Sequence, residues 1–249
     1  MTTKGTPMTD LNGKTALVTG AAGGIGTAIV QRLQAQGVTV TGADQNVCAA
    51  DHSITGDLMD ARFCDTLPQR AADLMGKLDI LVNNAGIITR GPITEASDED
   101  YTRTMAINVE APFRLCRAAI PLMADTGGGA IVNVASCWGV HPGPNHPLYV
   151  MSKAAVASLT QCLGMDHAHQ MIRVNAVCPN EVDTAMLRSG FAARGFDPDS
   201  AIADLNASVP LGRIAAPDDI ADIMVFLASD QARYLCGALI EANGGKPVK

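Results

Sequence analysis

Tyr149 and Lys153 stand four residues apart in "YVMSK", where an alanine-rich run with helical spacing begins. At that spacing two side chains share one face of a helix. A phenol ionises near about pH 10, too high for an efficient base at neutral pH, and a neighbouring ammonium favours the phenolate. The pair is therefore suited to moving a proton on and off an oxygen. An exposed Tyr and Lys that merely share a helix turn look the same in five residues, so the rest of the chain must discriminate. Ser136 lies 13 residues upstream, at the end of the apolar run "GAIVNVAS", and supplies a second hydroxyl for the same oxygen.

Other candidates also fall where apolar runs end. In "TGAAGGIG", residues 19 to 26, Gly20, Gly24 and Gly26 allow a tight turn and close approach of a ligand, and the helix opening at Ile25 favours an anion. The spacing is G-x-x-x-G-x-G rather than G-x-G-x-x-G, and packing alone also selects such glycines. Asp44 ends the second apolar run, 24 residues after Gly20. There a carboxylate accepts hydrogen bonds from an adenosine ribose and repels a 2′-phosphate. Neither Ala22 nor Gln45 is basic, so the preference read here is NAD over NADP. Asp57, followed by Leu58, either faces the adenine or caps the next helix. "NNAG" at 83 to 86 presents Asn84, Ala85 and Gly86 as backbone open to a ligand, or as a polar turn. Asn108, inside the apolar "MAINVEAP", is either functional or a satisfied amide that kinks its helix.

The elements that position these residues alternate. Strand-like runs "KTALVTG", "VTVTGAD", "SITGD", "LDILVNNAG", "GAIVNVAS", "IRVNAVCP" and "GALIEANGG" are separated by helical patterns. Among the latter, residues 60–77 form a helix interrupted near Pro68, and 97–124 one long helix with Ser97 as N-cap. The fold class is α/β: one doubly wound, mainly parallel sheet of seven strands with helices on both faces. Residues 1–12 read as a flexible leader and 13–249 as a single dinucleotide-binding and catalytic domain. Ligands in such folds bind outside the carboxyl ends of the strands.

Composition narrows the function. The chain has 249 residues, 47% hydrophobic and 17% charged, which suits a buried core. With nine aromatics and a net charge of −7, nucleic acid is excluded as a partner. Seven scattered cysteines without a C-x-x-C pair read as reduced thiols, and His167 and His169 point to different helix faces, so no metal site is expected. No signal sequence or membrane span is visible, which places the protein in the cytoplasm.

The combination of T-G-x-x-x-G-x-G, N-N-A-G, an Asn in the next helix, Ser and Y-x-x-x-K resembles the short-chain dehydrogenase/reductase family over residues 11 to 245. The resemblance implies a catalytic tetrad. Tyr149 is the general acid/base, and Lys153 lowers its pKa and holds the nicotinamide ribose. Ser136 orients the substrate, and Asn108 keeps its helix open around a proton-relaying water. It also implies that the pyrophosphate meets Gly24, Ile25 and Gly26, that Asn84, Ala85 and Gly86 lie along the adenosine and ribose, and that Pro179, Val182 and Thr184 hold the carboxamide. A homotetramer and a small-molecule alcohol or ketone substrate follow from the same resemblance. A polyol, sugar acid or hydroxy acid suits the Asn, His and Arg inventory. The alternatives are an NADP-dependent carbonyl reductase of the same fold and a non-catalytic nucleotide-binding sensor.

Two departures stand out. The segment between Asp44 and Asp57 is about a helix shorter than usual, so the connection of strands two and three is expected to be a turn. Asn180 stands where the family commonly has glycine, and is expected to adopt the left-handed conformation while reaching the substrate. Trp138, His141 and His146 between Ser136 and Tyr149 are either substrate contacts or packed loop residues. A flexible lid is expected over 186–211, carrying Arg188 and Arg194 as solvated charges, or with one arginine binding a carboxylate or sugar acid.

Overall fold

The structure, a computed structural model, describes residues 11–246. Seven parallel strands form one sheet in the order β3-β2-β1-β4-β5-β6-β7. They are β1 (Thr15–Thr19), β2 (Thr39–Asp44), β3 (His52–Thr55), β4 (Ile80–Asn83), β5 (Gly129–Val134), β6 (Ile172–Pro179) and β7 (Leu239–Ala242). The helices are α1 (Gly24–Ala35), α2 (Ala61–Met75), α3 (Asp98–Met105), α4 (Ala111–Asp125), α5 (Cys137–Val140), α6 (Pro147–His167), α7 (Ala185–Ala192), α8 (Pro198–Ser208) and α9 (Pro217–Ala228). No helix among the described residues is long and apolar enough to cross a membrane.

The apolar strands are continuous because both faces of the sheet are covered. In β1, Ala16 and Val18 face a cluster with Ile29 and Leu33 of α1 and Ile220 and Met224 of α9. Leu17 faces the opposite cluster, with Leu67 of α2 and Leu115 and Met123 of α4. The order reverses between β1 and β4, and their carboxyl ends open into the cleft described below.

Several local readings change. Leu11 is 3% exposed and packs with the first cluster, so the domain begins before residue 13; residues 1–10 of the expected leader lie outside the described residues. Helix α2 runs through Pro68 without interruption, because Cys64, Leu67, Pro68 and Ala71 form its buried face and packing outweighs the lost backbone bond. The expected single helix from 97 to 124 is α3 and α4 joined by a π turn at Ala106–Glu110, and Ser97 caps it in a reciprocal box with Asp100. Asp60, not Asp57, caps α2. The expected lid is two helices, α7 and α8, capped by Thr184 and Asp197.

The connection of β2 to β3 contains no helix, as its shortness predicts. Asp51 closes it by accepting from the Val40 N–H at 2.8 Å. Cys48 and Ala50 pack over Gly42 in place of a helix; a Cβ there would run into the Cys48 thiol.

A chain of buried polar groups ties α6 to the sheet. Asn83 donates to Asn133 at 2.8 Å across the β4–β5 register, and Asn133 donates to Thr160 of α6 at 2.9 Å. All three are at most 3% exposed. Asn133→Ala removes a partner from both neighbours, and a stability loss of about 2 kcal/mol or more is expected in chemical denaturation. A loss below about 0.5 kcal/mol would mean the chain contributes little.

Candidate active site

A cleft of about 660 Å³ runs along the carboxyl ends of the strands. It is lined at one end by Gly20, Gly24, Ile25, Gly26, Asp44, Asp57 and Leu58, and at the other by Ser136, Trp138, His146, Tyr149, Lys153, Pro179, Asn180, Val182 and Thr184, with Asn84, Ala85 and Gly86 between. Most of the candidates named from sequence thus converge on one cavity. Asn108 is not among the lining residues but stands behind Gly86.

The first turn of α6 places Tyr149 beside the cleft and Lys153 one turn deeper, 4% exposed. The Lys153 ammonium donates to the Val134 carbonyl at 2.8 Å and lies 6.0 Å from the centre of the Tyr149 ring. Burial pushes the Lys153 ammonium down to about 8. Burial also pushes the Tyr149 phenol above its usual range, while a hydrogen bond from Ser136 and the charge of Arg90 pull it back. Ser136 caps α5 by accepting from the Trp138 N–H at 3.1 Å, which leaves its O–H to donate. Two hydroxyls therefore line the same end of the cleft, with an ammonium 6.0 Å from the phenol ring.

Asn108 sits in the π turn and is fully engaged. Its amide exchanges two bonds with the backbone of Ile87, both 2.9 Å, and donates to Ser152 of α6 at 3.0 Å. The side chain thus performs the structural task considered for it, pinning the loop after β4 and α6 to the open turn. Gly86 lies against the same group: a Cβ there would stand 3.1 Å from the Lys153 ammonium and 3.4 Å from the Asn108 carbonyl oxygen.

At the other end the glycines leave room that side chains would fill. A Cβ on Gly24 would meet the Thr184 methyl at 3.3 Å, and one on Gly26 would collide with the Gly20 carbonyl. Asp44 is anchored by the Ala22 and Asn46 N–H groups at 3.1 and 3.0 Å, and Asp57 accepts from the Met59 N–H. This glycine turn, open helix terminus and acid at the end of β2 fit a dinucleotide. Val182 pairs with Ala215 through the Glu181 carbonyl and the Asp183 N–H, which turns its own N–H the other way. Thr184 accepts from the Leu187 N–H and keeps its O–H to donate.

Asn180 is not left-handed; among described non-glycine residues only Asn145 and Met171 have positive φ. Its N–H extends the β6–β7 pairing to the Ala242 carbonyl at 3.1 Å, so no glycine-like turn is needed. His141 bonds Glu241 at 3.0 Å and does not line the cleft. Trp138 and His146 do line it, with ring centres 4.6 Å apart. Of the two lid arginines, Arg188 is taken up by Asp183 and Asp199, whereas Arg194 lines the cleft. Arg90 and Phe63 also line it and were missed, since neither lies at a strand end or in a recognisable motif.

Comparison with known proteins agrees with this geometry. A family model described as enoyl-(acyl carrier protein) reductase matches residues 20–246. D-threitol dehydrogenase of Mycolicibacterium smegmatis is 35% identical over 252 residues, covering 96% of this chain and 95% of that protein. The ligand-free aldohexose dehydrogenase of Thermoplasma acidophilum superposes with a TM-score of 0.92 at 30% identity, covering 97% of this chain and 96% of that one. A 3-ketoacyl-(acyl-carrier-protein) reductase of Brucella melitensis, complexed with NADH, gives 0.87 at 30% identity over 96% of this chain and all (100%) of that one. The chain belongs to the short-chain dehydrogenase/reductase family, nicotinamide-dependent oxidoreductases acting on CH–OH groups.

Proposed function

We propose that the protein interconverts a small polar secondary alcohol (a polyol, sugar acid or hydroxy acid) and its ketone, using NAD(H). The observation that carries this reading is that Ser136, Tyr149 and Lys153 line one end of a cleft whose far end is suited to a dinucleotide. A bound nicotinamide supplies or accepts the hydride. The Ser136 O–H donates to the substrate oxygen and orients it. Tyr149 takes the hydroxyl proton in oxidation and returns it in reduction. Lys153, positive below about pH 8, stabilises the phenolate electrostatically.

The pH dependence has a defined sign. Oxidation needs the phenolate, which burial disfavours, so its rate climbs as pH rises; reduction needs the phenol and declines over the same range. Tyr149→Phe is expected to lower kcat about 10²–10⁴-fold in stopped assays while NADH affinity is retained. Lys153→Met is expected to move the alkaline limb to higher pH. It also tests the cost of the buried ammonium. Between about 8 and 10.5 the folded chain has released that proton and the unfolded chain has not, so wild-type stability rises through this window. At pH 7 both states are charged and folding bears the desolvation, so Lys153→Met should be the more stable protein, by something on the order of 3 kcal/mol. Substantial residual activity in Tyr149→Phe would assign the proton to another group.

Asp44 supports NAD rather than NADP, because its carboxylate is held at the end of β2 where a 2′-phosphate would be repelled. Asp44→Ala is expected to narrow the ratio of kcat/KM for NAD over NADP by about tenfold or more. An unchanged ratio would remove Asp44 from the ribose. The seven free cysteines support work in the cytoplasm.

We also propose a homotetramer. A mainly apolar groove between the α3–α4 turn and α6, lined by Met105, Val109, Glu110, Phe113, Ala155 and Leu159, supports this, with the small Ala155 admitting close helix approach. Light scattering should give four chains per particle; a monomer at micromolar concentration would exclude it.

A further inference from the structure

Six of the twelve arginines of this acidic chain are matched to carboxylates or to a cluster of carbonyls. Arg32 meets Asp218 and Asp222, Arg114 and Arg117 meet Asp65, Arg213 meets Asp219, and Arg188 meets Asp183 and Asp199. Arg173 binds four carbonyls at the end of α9. Of the remaining six, Arg103 lines the cleft with the charge of Asp100 near it, whereas Arg90 and Arg194 line it without such a neighbour. Both line the catalytic end of the cleft, and among the described residues neither has an ion-pair partner. Glu181 lines the same cleft but is held by Lys246 at 2.7 Å.

The two guanidinium groups come together at Gly190, a buried position in α7. Arg194 donates its Nε to the Gly190 carbonyl at 2.9 Å and rests on the rings of Phe191 and Phe196, which leaves the outer edge of its fork free. Arg90 lies against the other side: a Cβ on Gly190 would run into its guanidinium. The absence of a side chain at 190 is what admits it. Burial, and then the charge of Arg194, push Arg90 below its usual range, and Arg90 also acts on the Tyr149 hydroxyl. A half-buried Arg90 and an exposed Arg194, neither with a counter-charge, stand beside the reacting oxygen and form a site that an anion would relieve.

We infer that the substrate carries a terminal oxyanion, a carboxylate or phosphate monoester, held between Arg90 and Arg194 while its hydroxyl lies against Ser136 and Tyr149. This rests on the dehydrogenase reading above and narrows its substrate class. His146 completes the site without adding charge. Its Nδ1 donates to the Pro144 carbonyl at 2.9 Å, so the neutral ring keeps Nε2 as an acceptor for a substrate hydroxyl. Burial and both arginines hold its pKa below the usual value.

The test is calorimetric titration of the enzyme–NADH complex with matched pairs: 3-hydroxybutyrate against its methyl ester, gluconate against glucitol, and glycerol 3-phosphate against glycerol. In at least one pair the anionic member is expected to bind about tenfold tighter or more. Which pair responds distinguishes carboxylate from phosphate. Arg194→Gln, on the exposed end of the lid, and Arg90→Gln are each expected to shrink that ratio below about threefold, with NADH affinity unchanged as proof of folding. Arg90→Lys should restore part of it. Equal binding of every acid and its neutral partner, or a preference that survives both substitutions, overturns the inference. Oxidation of glucitol with no advantage for any anion would do so while leaving the dehydrogenase reading intact. Arginine-dependent anion binding supports the site even if that particular acid is not oxidised.

Discussion

Helix α6 carries both the phenol proposed to transfer the proton and the ammonium, and its position against the sheet is set by polar contacts made in the dry interior. Thr160 hangs from Asn133, which hangs from Asn83. One turn from the catalytic end, Ser152 receives the Asn108 amide, which is itself clamped to Ile87. Apolar packing alone tolerates small rotations of a helix about its axis; a buried amide that must keep its partner does not. Rotation of α6 would orphan groups at two places at once. The same contacts hold the loop after β4, so the wall facing the nicotinamide region and the helix bearing Tyr149 move as one unit.

That rigidity sustains an unfavourable arrangement. Lys153 is buried with a single carbonyl partner, and Tyr149 is pushed away from ionisation by the same environment. Left free, an ammonium would turn to solvent. It remains because its stem is enclosed by α6, β5 and the Gly86 loop, where a single added methyl group would crowd it. Local destabilisation of this kind accompanies proton-transfer sites, where a group must titrate within the working range rather than be comfortably solvated.

Much of the fold was legible in the sequence because strands covered on both faces are written as unbroken apolar runs; β6 is the very segment "IRVNAVCP". The helix interior of α2 was less legible, since Pro68 signals a break locally while the buried stripe that overrides it is a tertiary fact. At the site, Tyr149, Lys153, Ser136 and the glycines could be read because their chemistry depends on fixed spacing. Arg90 could not. Its meaning lies in the absence of an acid nearby and of a side chain at Gly190, a hundred positions on. Asn180 illustrates the opposite failure: a departure from glycine suggested a strained turn where the β6–β7 ladder simply continues. Asn133 and Thr160 did leave a signal, polar residues inside apolar runs, whose significance depended on knowing that the two runs touch.

The short link between β2 and β3 has a kinetic side. Edge strand β3 pairs with β2 at separations of only 11 residues, so its contacts close a small loop and form early at little entropic cost. The same economy means that little is buried to hold it. Hydrogen exchange in such an edge is governed by local opening rather than by global unfolding. The wall around Gly56 and Asp57 can therefore loosen and reseal while the amide chain under α6 stays shut.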